Sequence, residues 1–182
     1  MRTGDTLRFF RTQEGTVAIE FAFIAPVLIL LFLGTIELCN ALICRQKVTT
    51  MAASAADLVA QESTITGTQL NDVFTAINAI VYPYPTAGAQ IVLTSVKQNP
   101  NNQTQYIVDW SKAQNTTPRT KNASITIPTG LVTNGASVIL AEIRYTYTPP
   151  STSVIHSAFT MSDSFYARPR KGNFVACTSG CP

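Results

Sequence analysis

Glu20 is a carboxylate inside a stretch, Thr16 to Leu38, that is otherwise almost wholly apolar, and Gly15 stands just ahead of that stretch. A charged side chain costs about 2.5–3.5 kcal/mol at the centre of a transmembrane helix and less toward an edge. Glu20 is therefore expected to have a partner. Thr16 lies four residues before it on the same helix face, and a free α-amine there would be such a partner. The plainer alternatives are a glutamate that snorkels to the headgroups and a glycine that only opens a helix or turn.

Other reactive side chains are few. His156 is the one imidazole, which leaves no multi-histidine metal site and at most one Ser/His/Asp constellation. It sits in Ser-Val-Ile-His-Ser-Ala-Phe near a turn and reads as a solvated or hydrogen-bonded histidine. The four cysteines form two pairs and have no paired C-x-x-C spacing. Residues five apart on a helix have Cα atoms about 8.7 Å apart, beyond the roughly 7 Å reach of a disulfide. Cys39 and Cys44 are thus expected to stay unbridged. Cys177 and Cys181 lie in a glycine-containing tail and are expected to close a small loop in an oxidising compartment; two unpaired thiols are the alternative. No phosphate loop or dinucleotide fingerprint occurs. The expectation is a non-enzyme without cofactor or metal.

The element that must position Glu20 is the apolar segment itself. Thr16 to Leu38 is long enough as a helix to cross about 30 Å of hydrocarbon. A secretory signal peptide has a shorter apolar region followed by a small-x-small site, and neither property fits. Arg2, Arg8 and Arg11 before the segment, against Arg45 and Lys47 after it, favour a cytoplasmic N-terminus slightly. Pro26 frees the carbonyl of Ala22 and should bend or loosen the helix. Glu37 falls at the far edge, where it is expected to meet water.

Beyond the segment, Asn40 to Gln61 lacks Pro and Gly and should continue the same helix. Val48, Met51, Ala55 and Leu58 form a stripe suited to packing on a domain or a neighbouring subunit. A second amphipathic helix is expected over Thr68 to Val81, with Leu70, Val73, Phe74, Ile77 and Val81 on one face. Strands are expected at Gln90 to Val96, Gln105 to Ser111, Ala141 to Tyr147 and Ser164 to Arg168, with Ile143, Tyr145 and Tyr147 facing the core. Lys112 to Gly135 reads as surface loop with a short Ser124 to Ile127 strand. The sum is an α+β fold: a long transmembrane helix, a short second helix and a small antiparallel sheet. In segments, that is a leader over 1–15, an anchor over 16–38, its continuation over 39–62 and one α+β domain over 63–182. A net charge of +3 without a Lys/Arg block argues against a nucleic-acid footprint. Arg168, Arg170 and Lys171 read as a solvated strand end that could meet an acidic subunit surface.

Gly15-Thr16-Val17-Ala18-Ile19-Glu20-Phe21 resembles the prepilin-peptidase site of type IV pilins, above all in the Tad (tight adherence) branch. The rest of the anchor, with Pro26 and the Gly34-x-x-Glu37 ending, is similar to TadE-like minor pseudopilins. Arg168-Pro169-Arg170 followed by Cys177 is similar to the usual ending of that family. The resemblance implies cleavage between Gly15 and Thr16, roles for Glu20 and Phe21 in processing and fibre assembly, and a pilin-like fold. It implies as partners a prepilin peptidase, other pilins and pseudopilins, the Tad secretion machinery and the lipid bilayer, but no nucleic acid. The implied location is the bacterial inner membrane, single-pass, with the C-terminal domain extracytoplasmic or carried into a surface pilus. TadG-like relatives bear a metal-binding adhesion domain with a D-x-S-x-S signature, which Asp163-Ser164-Phe165 does not supply. An unprocessed single-pass envelope protein with a ligand-binding or scaffold role stands as the alternative, and a hydrolase using His156 as a third.

Overall fold

The computed structural model describes residues 13–132, 135–151 and 154–181. Most of the leader expected over residues 1–15 lies outside the described residues. Helix α1 runs Gln13–Ala60 as one element of 48 residues with Pro26 inside it. Strand β1 (Thr64–Thr66), helix α2 (Gly67–Ile80), and strands β2 (Ala89–Asn99), β3 (Asn102–Gln114), β4 (Ser124–Ile125), β5 (Ser137–Tyr147), β6 (Phe159–Ala167) and β7 (Ala176–Ser179) follow. The architecture is α+β. Two compact units divide the chain: residues 1–41 with 149–158, and residues 42–148 with 159–182. The 149–158 segment groups with the apolar half of α1 in the smaller unit.

In the larger unit, β4-β3-β2-β5-β6 form an antiparallel sheet in that order. Alternation along β5 behaves as the sequence suggests, with Ile143, Tyr145 and Tyr147 almost fully buried. Ile91 and Leu93 of β2 pair with Ile143 and Ala141, which continues this apolar face across the sheet. The opposite face carries a second cluster, Val96, Val138 and Leu140, covered by Ile127 and Val132. Part of the expected surface loop is thus a lid on the sheet. Arg119 of the same loop holds Glu142 with two hydrogen bonds, Nε at 2.9 Å and Nη2 at 2.7 Å.

The outer half of α1 buries Cys44, Val48, Met51, Ala52, Ala55, Ala56 and Val59. Leu58 was expected on this stripe and is 39% exposed. The helix turns 3.6 residues at a time, so four steps beyond Ala55 reach the buried face and three do not. Thr49 Oγ1 donates to Asp163 Oδ2 at 2.5 Å, which ties α1 to β6. Helix α2 starts with a capping box in which Thr66 and Gln69 satisfy each other's backbone amides. Its inner face is Leu70, Phe74 and Ile77; Val73 is half-buried.

One pairing had no counterpart in the expected strands. β1 and β7 form a parallel two-stranded sheet with Ile65 opposite Cys177. Trp110 anchors this tail from β3, since its Nε1 donates to the Val175 carbonyl at 2.7 Å. Arg168, Arg170 and Lys171 are not simply a solvated strand end. Arg168 donates to the Leu131 and Gly130 carbonyls, Arg170 pairs with Asp57, and Lys171 lies 3.7 Å from Glu62.

Tyr145 gives the core a pH signature. Its hydroxyl donates to the Pro85 carbonyl at 3.0 Å, and burial, assisted by Cys44, Tyr84 and Tyr147, pushes its pKa up to about 12. The unfolded value is about 10. Stability from the neutral phenol is therefore complete below pH 10 and declines as pH rises toward 12, at about 1.4 kcal/mol per pH unit. Denaturant midpoints between pH 9 and 12 should show this decline, and Tyr145→Phe should flatten it.

Candidate functional site

The sequence singles out the amino-terminal half of α1, and the structure presents it as a bare apolar rod. Among the described residues one helix is long and apolar enough to cross a membrane, and its most apolar window is not buried at all. Phe21 is 67% exposed and Phe23 78%. In water such a surface would be strongly unfavourable; against acyl chains it is the expected one. The polar side chain of Thr35 is satisfied internally, its hydroxyl donating to the Leu31 carbonyl at 2.8 Å.

Gly15 and Thr16 lie within the first turn of α1, with Gly15 half-buried and Thr16 exposed. Glu20 follows one turn later and is exposed, and among the described residues no cation forms a salt bridge with it. Pro26 is exposed within the helix. These residues form a linear array on one helix.

Gly34 and Glu37 are different. Glu37 was expected to meet water at the end of the span, yet it is 2% exposed. Its carboxylate accepts from the Ser151 hydroxyl, from the Val154 amide at 3.1 Å and from the Ile155 amide at 2.7 Å. Burial is tolerable because those donors replace water. Gly34 lies one turn earlier, where an added Cβ would come within 3.3 Å of Val154 Cγ2. Lack of a side chain there lets Val154 approach the helix. Ser151, Val154 and Ile155 were not anticipated as partners. The signal available for them was the apolar Val-Ile pair within an otherwise polar Pro-Pro-Ser-Thr-Ser stretch.

His156 is exposed, and its Nδ1 lies 2.8 Å from the Val154 carbonyl. Among the described residues no group of three His, Cys, Asp or Glu side chains is placed to hold a metal ion. Cys177 and Cys181 are joined as a disulfide, while Cys39 and Cys44 are free thiols. Cys44 is buried, and that burial raises its pKa against an opposing pull from Lys47.

These features define an α+β protein with one exposed apolar helix at its N-terminal end, suited to membrane anchoring. Residues 15–57 match the family model described as TadE-like protein. That N-terminal segment is thus similar to TadE-like proteins. The match begins at Gly15, takes in Glu20, Pro26, Gly34 and Glu37, and ends within the buried stripe of α1. No curated protein and no solved structure matches the chain.

Proposed function

We propose that this chain is a minor pseudopilin: a prepilin peptidase cuts it after Gly15, and the product acts in assembling a Tad-type adhesive pilus. The observation that carries this reading is the TadE-like match beginning at Gly15 on a helix whose apolar half is uncovered. A helix of that kind suits lipid before assembly and neighbouring helices after it. The anchor sits in the bacterial inner membrane with its N-terminus cytoplasmic and the sheet-bearing unit outside the cytoplasm. Its partners are the peptidase, other pilins and pseudopilins and the Tad secretion machinery.

Glu20 is the chemical centre of this reading. Once the bond after Gly15 is hydrolysed, Thr16 carries an ammonium one helical turn from the Glu20 carboxylate. In hydrocarbon each charge needs the other. Pairing between subunits sets neighbouring helices in register, and pairing within a subunit keeps the uncombined pseudopilin tolerable in the bilayer. The role is structural and not enzymatic; His156, held against the Val154 carbonyl, acts as a loop residue.

Glu20→Ala is expected to leave processing intact, as judged by the size of the product, and to reduce surface piliation sharply in a strain that depends on this chain. Normal piliation in that variant would refute the fibre role of Glu20.

A further inference from the structure

We propose that Val154 and Ile155 enter the lipid leaflet beside the C-terminal half of the apolar helix segment, as a short non-helical wedge held in place by Glu37. The inference rests on the membrane-anchor reading of α1 and adds a second, non-helical point of membrane entry.

Depth is the first argument. Val154 packs at Gly34, about 6 Å inside the Leu38 end of the apolar segment by helical rise. A groove bounded by Val154 and by Pro26, Ile29, Leu30 and Leu33 continues deeper along the helix. Pro26 is about 12 Å from Gly34 along the axis. A segment touching the helix there cannot stay in water if the same helix positions lie in hydrocarbon. The interface that receives it is continuous with the exposed faces of Ile29, Leu30 and Leu33.

The second argument is how backbone polarity is handled. Irregular backbone enters a bilayer only where its polar groups find protein partners. At this point the amides of Val154 and Ile155 both donate to Glu37, and so does the Ser151 hydroxyl. A carboxylate near the end of an apolar helix is costly unless it has donors; these groups supply them, and the carboxylate in turn satisfies those two amides and the hydroxyl. Each makes the other admissible at that depth.

Side-chain character is the third. Val154 is 42% exposed although it lies against an apolar helix face. Residues 149–158 contain no Asp, Glu, Lys or Arg, and His156 is the segment's one titratable side chain. An exposed valine beside an apolar groove suits acyl chains.

The test uses the full-length chain in phosphatidylcholine/phosphatidylglycerol vesicles. An environment-sensitive fluorophore is attached at Val154→Cys or, separately, at Leu30→Cys, each in a Cys39→Ser/Cys44→Ala background. Lipids brominated on their acyl chains are the quencher. Emission from both sites is expected to be blue-shifted and quenched to a comparable degree, and Glu37→Ala should abolish quenching at 154 while sparing it at 30. Quenching at 30 with water-like, unquenched emission at 154 would overturn the wedge and leave the anchor standing. Absence of quenching at both sites would overturn the anchor reading and the wedge with it. Blue-shifted emission at 154 that bromolipid quenches only after the protein is diluted in lipid would put a second copy over the groove, against this proposal. Undiminished quenching at 154 in Glu37→Ala would refute the role of the carboxylate.

Discussion

Trp110→Ala should destabilise the sheet-bearing unit by about 4–8 kcal/mol, enough to bring a domain of ordinary stability close to unfolding. Two losses combine. Trp110 is 3% exposed, and truncating a buried Trp leaves a cavity worth about 3–5 kcal/mol. Its Nε1 is also the donor to the Val175 carbonyl, and a buried acceptor left without a donor costs about 1–3 kcal/mol. Trp110→Phe separates the terms, since it keeps most of the ring volume and loses chiefly the hydrogen bond; about 1–3 kcal/mol is expected. Denaturant midpoints for both variants, followed by far-ultraviolet circular dichroism, check the ratio. Equal losses in the two would contradict the cavity assignment.

Gly67→Ala should cost about 2 kcal/mol net, although alanine is the better helix former. Gly67 is buried at the start of α2. A Cβ there would lie 2.5 Å from the Gly180 carbonyl oxygen and 2.9 Å from its carbon, both backbone atoms of the disulfide-closed tail. Neither can rotate away, so the tail must move. Overpacking of this kind costs about 1–3 kcal/mol or more, against a helix-propensity gain of about 1 kcal/mol. The clash wins because the obstacle is backbone on both sides. Displacing residue 180 also strains the β1–β7 pairing and the Val175 carbonyl next to it in the tail. Gly67→Ala and Trp110→Phe should therefore be less than additive in a double-mutant cycle, and strict additivity would show that the tail is not their common element.

The elements with strong periodicity were legible in the sequence. The apolar run gave α1, the three-and-four spacing of Leu70, Phe74 and Ile77 gave α2, and the alternation of Ile143, Tyr145 and Tyr147 gave β5 with its inner face. What escaped was set by contacts distant in the chain. β1 and β7 are three and four residues long, too short to carry a period, and they exist because each pairs with the other. Leu58 was misplaced by a single step of helical phase, which the run of small residues around it did nothing to correct. For Arg168 and Arg170 the local sequence suggested solvent, whereas their partners lie at Gly130, Leu131 and Asp57.

The candidate site divides the same way. Gly15, Glu20 and Pro26 lie on one helix, so their relation to each other is a matter of spacing and could be read directly. Glu37 could not, because its environment comes from Ser151, Val154 and Ile155, more than a hundred residues later. Position at the end of an apolar helix suggested water, and long-range folding supplied amides in its place.

Cleavage after Gly15 is the central claim, and intact mass measurement of the membrane-extracted chain, co-expressed with and without a prepilin peptidase, tests it most directly. With the peptidase present, the mass should fall to that of a chain beginning at Thr16 and ending at Pro182, and Gly15→Ala should retain the full mass. An unchanged N-terminus in the presence of an active peptidase would contradict the account.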